Sequence, residues 1–167
     1  PLHSSAASDV YKRQIPHPTR GGFAWWLRSE EPTEPLGTDA LREVKDSIQN
    51  LISEIPEGPI ILGGFSQGAA IASAMLEYDI HSRIKGIVLL GTKSVRPDEL
   101  REILPFLKPR KVVWMHGSRD HLVPIEQGIE HIEIFEQADW EVTKLKHEKG
   151  HMVCLLYTSD AADECSG

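Results

Sequence analysis

A serine between glycines is the residue of this sequence whose context most directly suggests chemistry. Ser66 is the centre of Gly64-Phe65-Ser66-Gln67-Gly68, a G-x-S-x-G pattern that follows an apolar run and precedes a small, apolar segment. The pattern predicts a strand, a tight turn and a helix, with the serine hydroxyl held out from the end of the strand. The helix N-terminus beneath it would present free N–H groups to a developing negative charge. We therefore expect Ser66 to be a nucleophile.

Two other glycine-rich motifs do not fit the same segment. A dinucleotide-binding fingerprint requires a glycine where Phe65 stands, and a phosphate-binding loop requires lysine and serine or threonine where Ala69 and Ala70 stand. The nucleophile turn is the motif that remains.

The partners that a nucleophilic serine needs also occur at suitable places. Such a serine requires a base to remove its proton and an acid to orient that base. Where the serine lies in this kind of turn, the acid and then the histidine follow it along the chain, each in a loop after a strand. Asp120 follows a predicted strand at 111–116, and His151 follows one at 140–147. The order predicts a triad of Ser66, Asp120 and His151.

The remaining histidines are not placed like a catalytic base. His121 precedes the position that a base should occupy, and His116 lies at a strand end, where we expect it to pack. We expect the others to be surface or packing residues, namely His17, His81 and His131.

A second motif competes for His151. Residues 147–151 read His-Glu-Lys-Gly-His, which is the H-E-x-x-H pattern of zinc peptidases, with His147 and His151 as ligands and Glu148 as the base. That chemistry requires a helix, on which the two histidines share one face. The preceding residues alternate like a strand, and Lys149-Gly150 disfavours a helix. The zinc peptidase nevertheless stays an alternative.

Helices and strands are predicted to alternate through the central part of the chain. Apolar strands between helices indicate an α/β fold with a mostly parallel sheet and helices on both faces. Helices are expected from Thr38 or Asp39 to residue 55, after Ser66, near residues 98–107 and from Pro124, and strands at 59–65, 84–90, 111–116 and 140–147.

The two ends of the sequence share an unusual relation. Residues 4–14 and 154–164 can each be back-translated into one DNA element read in opposite orientations, which resembles a transposon-end adapter used in preparing sequencing libraries. Such segments are set aside in fold reasoning. We expect residues 1–14 and 154–167 to be non-native and residues 15–153 to be part of one domain of a longer protein.

Composition excludes several classes of partner. The formal net charge is −7 at pH 7 and no basic run occurs, which disfavours nucleic acid as a partner. No apolar stretch approaches the roughly 20 residues that span a bilayer. We expect a cytoplasmic protein without an integral membrane segment, and the oligomeric state stays open.

Three blocks resemble the phospholipase/carboxylesterase family of α/β-hydrolases, which includes the acyl-protein thioesterases. These blocks are residues 63–68 with their apolar lead-in, residues 116–124, and Gly150-His151. The resemblance implies hydrolysis of a carboxylic ester or thioester, on a small molecule or an acylated protein, through an acyl-enzyme and without a cofactor or metal. It implies Ser66 as nucleophile, His151 as general base and then acid, and Asp120 as the residue that orients the imidazole.

The resemblance also implies roles for residues around the triad. Gln67 would donate its backbone N–H to the oxyanion. Trp25 and Trp26 resemble the aromatic part of the family's substrate-facing loop, with packing as the alternative for both, and Leu122 is expected to join them in binding substrate.

The chain departs from the family at three places. It lacks the His-Gly-Leu-Gly segment that supplies a second oxyanion donor, and it lacks the helix expected after His151. It also carries Gly91-Thr92-Lys93 where relatives usually place glycine with an aromatic residue. Because loss of one oxyanion donor costs about 10²–10³ in rate, we expect this truncated α/β-hydrolase to be weak or inactive by itself. A non-catalytic α/β binding domain is the remaining alternative.

Overall fold

The computed structural model describes residues 9–12, 15–16, 23–27 and 35–154 of the chain. Most of the two predicted adapter segments therefore lies outside the described residues. The strands are β1 (Ile15–Pro16), β2 (Phe23–Ala24), β3 (Ile60–Phe65), β4 (Ile84–Leu90), β5 (Lys111–Gly117) and β6 (Glu141–His147). The helices are α1 (Thr38–Glu54), α2 (Gln67–Ala74), α3 (Pro97–Ile103) and α4 (Ile125–Gln137).

The main sheet is parallel, as the alternation of strands and helices predicts. Its strand order is β3-β4-β5-β6, and every neighbouring pair runs parallel. Strands β1 and β2 form a separate antiparallel pair, in which Ile15 is opposite Ala24. Since each added strand lies beside the one before it, the sheet grows in a single direction along the sequence.

The long first helix buries the apolar face that its sequence spacing predicts. Val44, Ile48 and Leu51 are buried in the main core, at intervals of three and four residues. The predicted cap at Thr38 or Asp39 is wrong. Gly37 is the N-cap, because its carbonyl oxygen accepts the first helical hydrogen bond from the Leu41 N–H, and no side chain caps the helix.

Helices α2, α3 and α4 connect main strands that are added in one direction, in the mostly parallel α/β arrangement that the alternation predicts. Right-handed crossovers that always step in the same direction place their helices on the same face. On the opposite face, Ile61 is 72% exposed, while its neighbours Ile60 and Leu62 pack against the core. None of the helices in the described part of the chain combines the length and apolarity needed to cross a bilayer.

The topology brings the functional candidates to one edge of the sheet. All four main strands point the same way, so their carboxyl ends lie side by side. Ser66 directly follows β3, Asp120 lies in the turn after β5, and His151 lies in the turn after β6. The predicted triad is therefore gathered by the parallel register.

Candidate active site

Ser66 has a strained backbone in the turn between β3 and α2. Its φ is 55° and its ψ is −121°, a region that residues with a side chain rarely occupy and that costs about 1–3 kcal/mol. The turn is tight enough that a Cβ on Gly64 would overlap the backbone of Gly68. The Ser66 N–H donates to the Leu90 carbonyl at 2.8 Å, which fastens the turn to β4. This geometry is the strand–turn–helix that the sequence pattern predicts.

Thr92 supports the same serine from the end of β4. Its hydroxyl donates to the Ser66 carbonyl oxygen at 2.8 Å, and the residue is only 1% exposed. Thr92 belongs to the Gly91-Thr92-Lys93 segment, where the chain departs from the family, and the sequence pattern predicts no role for it. A buried hydroxyl directed at the strained residue indicates that Thr92 stabilises the turn.

The side chains of Ser66, His151 and Asp120 form a connected series of hydrogen bonds. His151 Nε2 lies 2.9 Å from Ser66 Oγ, and His151 Nδ1 lies 2.6 Å from Asp120 Oδ2. An ionised carboxylate only accepts hydrogen bonds, so the proton of the neutral imidazole is on Nδ1 and Nε2 can accept the serine proton. The three residues, separated by up to 85 positions in the sequence, thus have the arrangement that general-base catalysis requires.

Asp120 is held as a carboxylate by its own turn. Its side chain is fully buried, and Oδ1 accepts the N–H groups of Leu122 and Val123, each at 2.9 Å. Burial by itself would raise the pKa of Asp120. The hydrogen bonds from Val123 and His151 outweigh burial and hold that pKa below its usual range. The residue therefore stays charged and oriented beside the imidazole.

Gln67 connects the serine turn to the tryptophan segment. Its backbone N–H is the first of α2, where helix geometry provides no acceptor. Its side-chain Oε1 accepts a hydrogen bond from the backbone N–H of Trp25 at 3.1 Å, and its Nε2 donates to the backbone carbonyl of Trp26 at 3.0 Å. The main chain of Gln67 is thereby available to an oxyanion while its side chain has a separate, structural task.

The three residues expected to bind substrate differ in their burial. Trp25 and Trp26 are buried in the main core, 9% and 4% exposed, so the packing alternative describes both side chains. Leu122 is 52% exposed and follows Asp120 in the same turn. Phe65, which the sequence pattern did not assign to the site, is 36% exposed, and its ring centroid lies 4.6 Å from that of His151. Phe65 and Leu122 thus contribute exposed apolar surface next to the triad.

The zinc-peptidase pattern does not have the geometry that its chemistry requires. His147 ends β6 and residues 148–151 form a bend, so the two histidines do not share a helical face. His147 Nδ1 accepts the Lys149 N–H at 3.2 Å, and both nitrogens of His151 are engaged by Asp120 and Ser66. Across the described residues, no group of three or more His, Cys, Asp or Glu side chains could hold a metal ion. The zinc-peptidase alternative is wrong.

The other histidines divide between core and surface. His131 is buried, with Nε2 2.8 Å from Ser73 Oγ, and burial lowers the pKa of His131 to about 3. His116 is completely buried, as its strand-end position predicts. His121 is exposed and His81 half-buried, while His17 lies outside the described residues.

Comparison with known proteins identifies relatives that match most of the chain. The sequence model of the phospholipase/carboxylesterase family matches residues 27–161. Acyl-protein thioesterase 1 of Cryptococcus neoformans is 32% identical over 111 residues, which is 65% of this chain and 46% of that protein. Acyl-protein thioesterase 1 of Debaryomyces hansenii is 28% identical over 142 residues, which is 78% of this chain and 61% of that protein.

A solved structure shares the fold. The crystal structure of Arabidopsis thaliana SOBER1 superposes with a TM-score of 0.61 at 21% identity, covering 86% of this chain and 71% of that one. The chain spans only about half the length of the two thioesterases. The family match nevertheless includes the serine turn, the Asp120 turn and the His151 loop. The chain thus belongs to the phospholipase/carboxylesterase family.

Proposed function

We propose that this chain carries the catalytic triad of a serine hydrolase that cleaves carboxylic esters or thioesters through an acyl-enzyme. The observation that carries the proposal is the series Ser66–His151–Asp120, with bonds of 2.9 and 2.6 Å. Ser66 attacks the carbonyl carbon while His151 Nε2 takes its proton, and Asp120 stabilises the imidazolium that forms. His151 then returns the proton to the leaving alcohol or thiol, and water hydrolyses the acyl-enzyme by the same path in reverse.

The serine turn supplies part of the charge stabilisation in this mechanism. The Gln67 N–H stands at the positive end of α2, directly after the nucleophile, where it can donate to the oxyanion of the tetrahedral intermediate. Loss of one oxyanion donor costs about 10²–10³ in rate, so we expect this N–H to contribute strongly to turnover.

We assign the substrate class from the site and its relatives together. Phe65 beside His151 and Leu122 in the Asp120 turn offer exposed apolar surface, which suits an acyl chain rather than a charged group. The two relatives described above are named acyl-protein thioesterases. We propose an acyl ester or acyl thioester as substrate, on a small molecule or on an acylated protein.

Covalent labelling with a fluorophosphonate tests the proposal. The probe reacts once with an activated serine, so even a slow nucleophile is detected. We expect a single adduct on the peptide that contains Ser66. Ser66→Ala should abolish it, and Ser118→Ala, at an exposed serine near the same edge, should not change it. Equal labelling of Ser66→Ala would overturn the assignment, and no labelling of the folded chain would favour a non-catalytic binding domain.

A further inference from the structure

His116 makes a directed hydrogen bond in a place where the sequence suggested only packing. It is the second-last residue of β5 and is 0% exposed. Its Nε2 lies 2.9 Å from the Val123 carbonyl oxygen. A carbonyl oxygen only accepts, so Nε2 carries the proton and donates. The same nitrogen is 3.5 Å from Asp120 Oδ2, the oxygen that binds His151.

Trp114 and Gly128 constrain the position of the His116 ring. One face stacks on Trp114, with ring centroids 5.5 Å apart and planes inclined by 27°. The opposite nitrogen, Nδ1, faces α4 at Gly128, where an added Cβ would come within 2.6 Å of it. Nδ1 has no hydrogen-bond partner within the part of the chain that the structure describes. Such a buried ring, fixed by Trp114 and Gly128, holds its single donor in one direction.

The bond from His116 reaches the residue that orients the triad acid. Val123 receives the His116 proton on its carbonyl oxygen, and its own N–H donates to Asp120 Oδ1 at 2.9 Å. The main chain of Val123 thus links His116 to the carboxylate. We propose that His116 is a positioning residue, which holds the turn 120–123 so that Asp120 Oδ2 stays bonded to His151. This role rests on the proposed function, since it serves the same triad.

The charge state of His116 suits this role. The titratable groups that face it are Asp120, His151 and His147, and the main influence on its pKa is burial, which lowers it. A neutral ring donates one N–H without adding a positive charge. An imidazolium at that point would compete with His151 for the carboxylate, because Nε2 lies within 3.5 Å of Asp120 Oδ2. Neutral His116, protonated on Nε2, therefore supports the turn without forming an ion pair with Asp120. The Asp120 carboxylate stays available to His151.

A pair of substitutions separates donation from packing. His116→Phe keeps a ring and removes the donor, while His116→Gln places an amide N–H close to where Nε2 stands. His131→Phe is the matched control, because it removes a second buried imidazole that is bonded to Ser73 instead of the site. Two readouts are measured on the folded chain. They are the rate of fluorophosphonate labelling and the low-field proton NMR resonance of the His151 Nδ1–H bonded to Asp120.

We expect His116→Phe to slow labelling by about tenfold to a hundredfold, the range in which misplacement of a catalytic group by an ångström falls. The low-field resonance should shift or disappear in this variant. His116→Gln should restore both readouts in large part, and His131→Phe should leave both unchanged once the folded fraction is matched. A wild-type labelling rate and an unshifted resonance in His116→Phe would overturn the proposal.

A substitution on α4 keeps the proposal testable if His116→Phe does not fold. Gly128→Ala pushes its Cβ against the His116 ring and touches no residue of the triad. The same loss of resonance is expected, and an unchanged resonance would count against His116. If the wild-type chain is never labelled, the proposed function fails, while the response of the His151 resonance to Gly128→Ala still decides whether His116 positions Asp120.

Discussion

Replacing Asp120 with asparagine changes the charge of the triad acid with little change in shape. The asparagine carbonyl can accept the two N–H groups that now bind Oδ1, from Leu122 and Val123 at 2.9 Å each. Its NH₂ group then faces His151 Nδ1 where Oδ2 stands today, 2.6 Å away. Two donors cannot share that contact. His151 must move its proton to Nε2, which then faces Ser66 Oγ.

The expected loss follows from this change of tautomer. An imidazole protonated on Nε2 cannot take the proton of Ser66, so the nucleophile is no longer activated. In serine hydrolases the corresponding change lowers kcat by about 10⁴. This factor corresponds to about 5.4 kcal/mol in the activation barrier, at 1.36 kcal/mol for each tenfold. The backbone bonds that hold residue 120 remain, so the fold should persist.

The assay compares labelling rates of folded protein. The pseudo-first-order rate of fluorophosphonate labelling is measured for wild type, Asp120→Asn and Asp79→Asn, the last being an exposed carboxylate outside the triad and its turns. Urea unfolding of each variant supplies the folded fraction. We expect Asp79→Asn to label like wild type. Labelling of Asp120→Asn within tenfold of the wild-type rate would refute the reasoning, because the tautomer would then not control the nucleophile.

Three further outcomes follow from the same geometry. Gly64→Ala should prevent labelling and destabilise the fold, because its Cβ would overlap the Gly68 backbone. A variant that is labelled and as stable as wild type would show that the turn can widen. Thr92→Val should lower the free energy of unfolding by about 1 kcal/mol, measured with urea, because the Ser66 carbonyl loses a buried donor; unchanged stability and labelling would remove its supporting role. Burial lowers the pKa of His131 from 6.5 to about 3, so the unfolded chain binds the proton in that interval. The free energy of unfolding should therefore fall as pH drops from 6.5 to about 3, and His131→Phe should flatten this dependence. An equally steep pH dependence in that variant would contradict the assignment.

Much of the secondary structure could be predicted because it is encoded locally. The strand at Ile84–Leu90 begins and ends where the sequence predicts, since a mostly apolar run, broken only by Lys85 and Gly86, lies between a polar turn and Gly91. The parallel sheet follows from strands that alternate with helices. The two-residue strands Ile15–Pro16 and Phe23–Ala24 were not predicted, because so short a pair is defined by its partner and not by any periodicity of its own.

The cap of α1 and the placement of helices on the sheet could not be predicted from local sequence. Thr38 and Asp39 are suitable capping residues by type, yet the Gly37 backbone makes the cap. Which face of the sheet receives a helix depends on the direction in which strands are added, and this direction is visible only in the folded chain.

The sequence by itself predicted the chemistry of the candidate site and determined the order of its residues along the chain. The pattern around Ser66 specifies a strained turn, and the strand-end positions of Asp120 and His151 specify which edge of the sheet they reach. These are local properties of short segments. The fold then decided every question of mutual placement. It buried Trp25 and Trp26 in the core.

Tertiary structure also rejected the zinc motif, since the residues after His147 form a bend instead of a helix. The folded chain also shows that His116, which was expected only to pack, donates a hydrogen bond to the Val123 carbonyl. The physical reason is common to these cases. Burial and hydrogen-bond partners depend on residues from separate strands and helices, and only the parallel sheet brings those residues together.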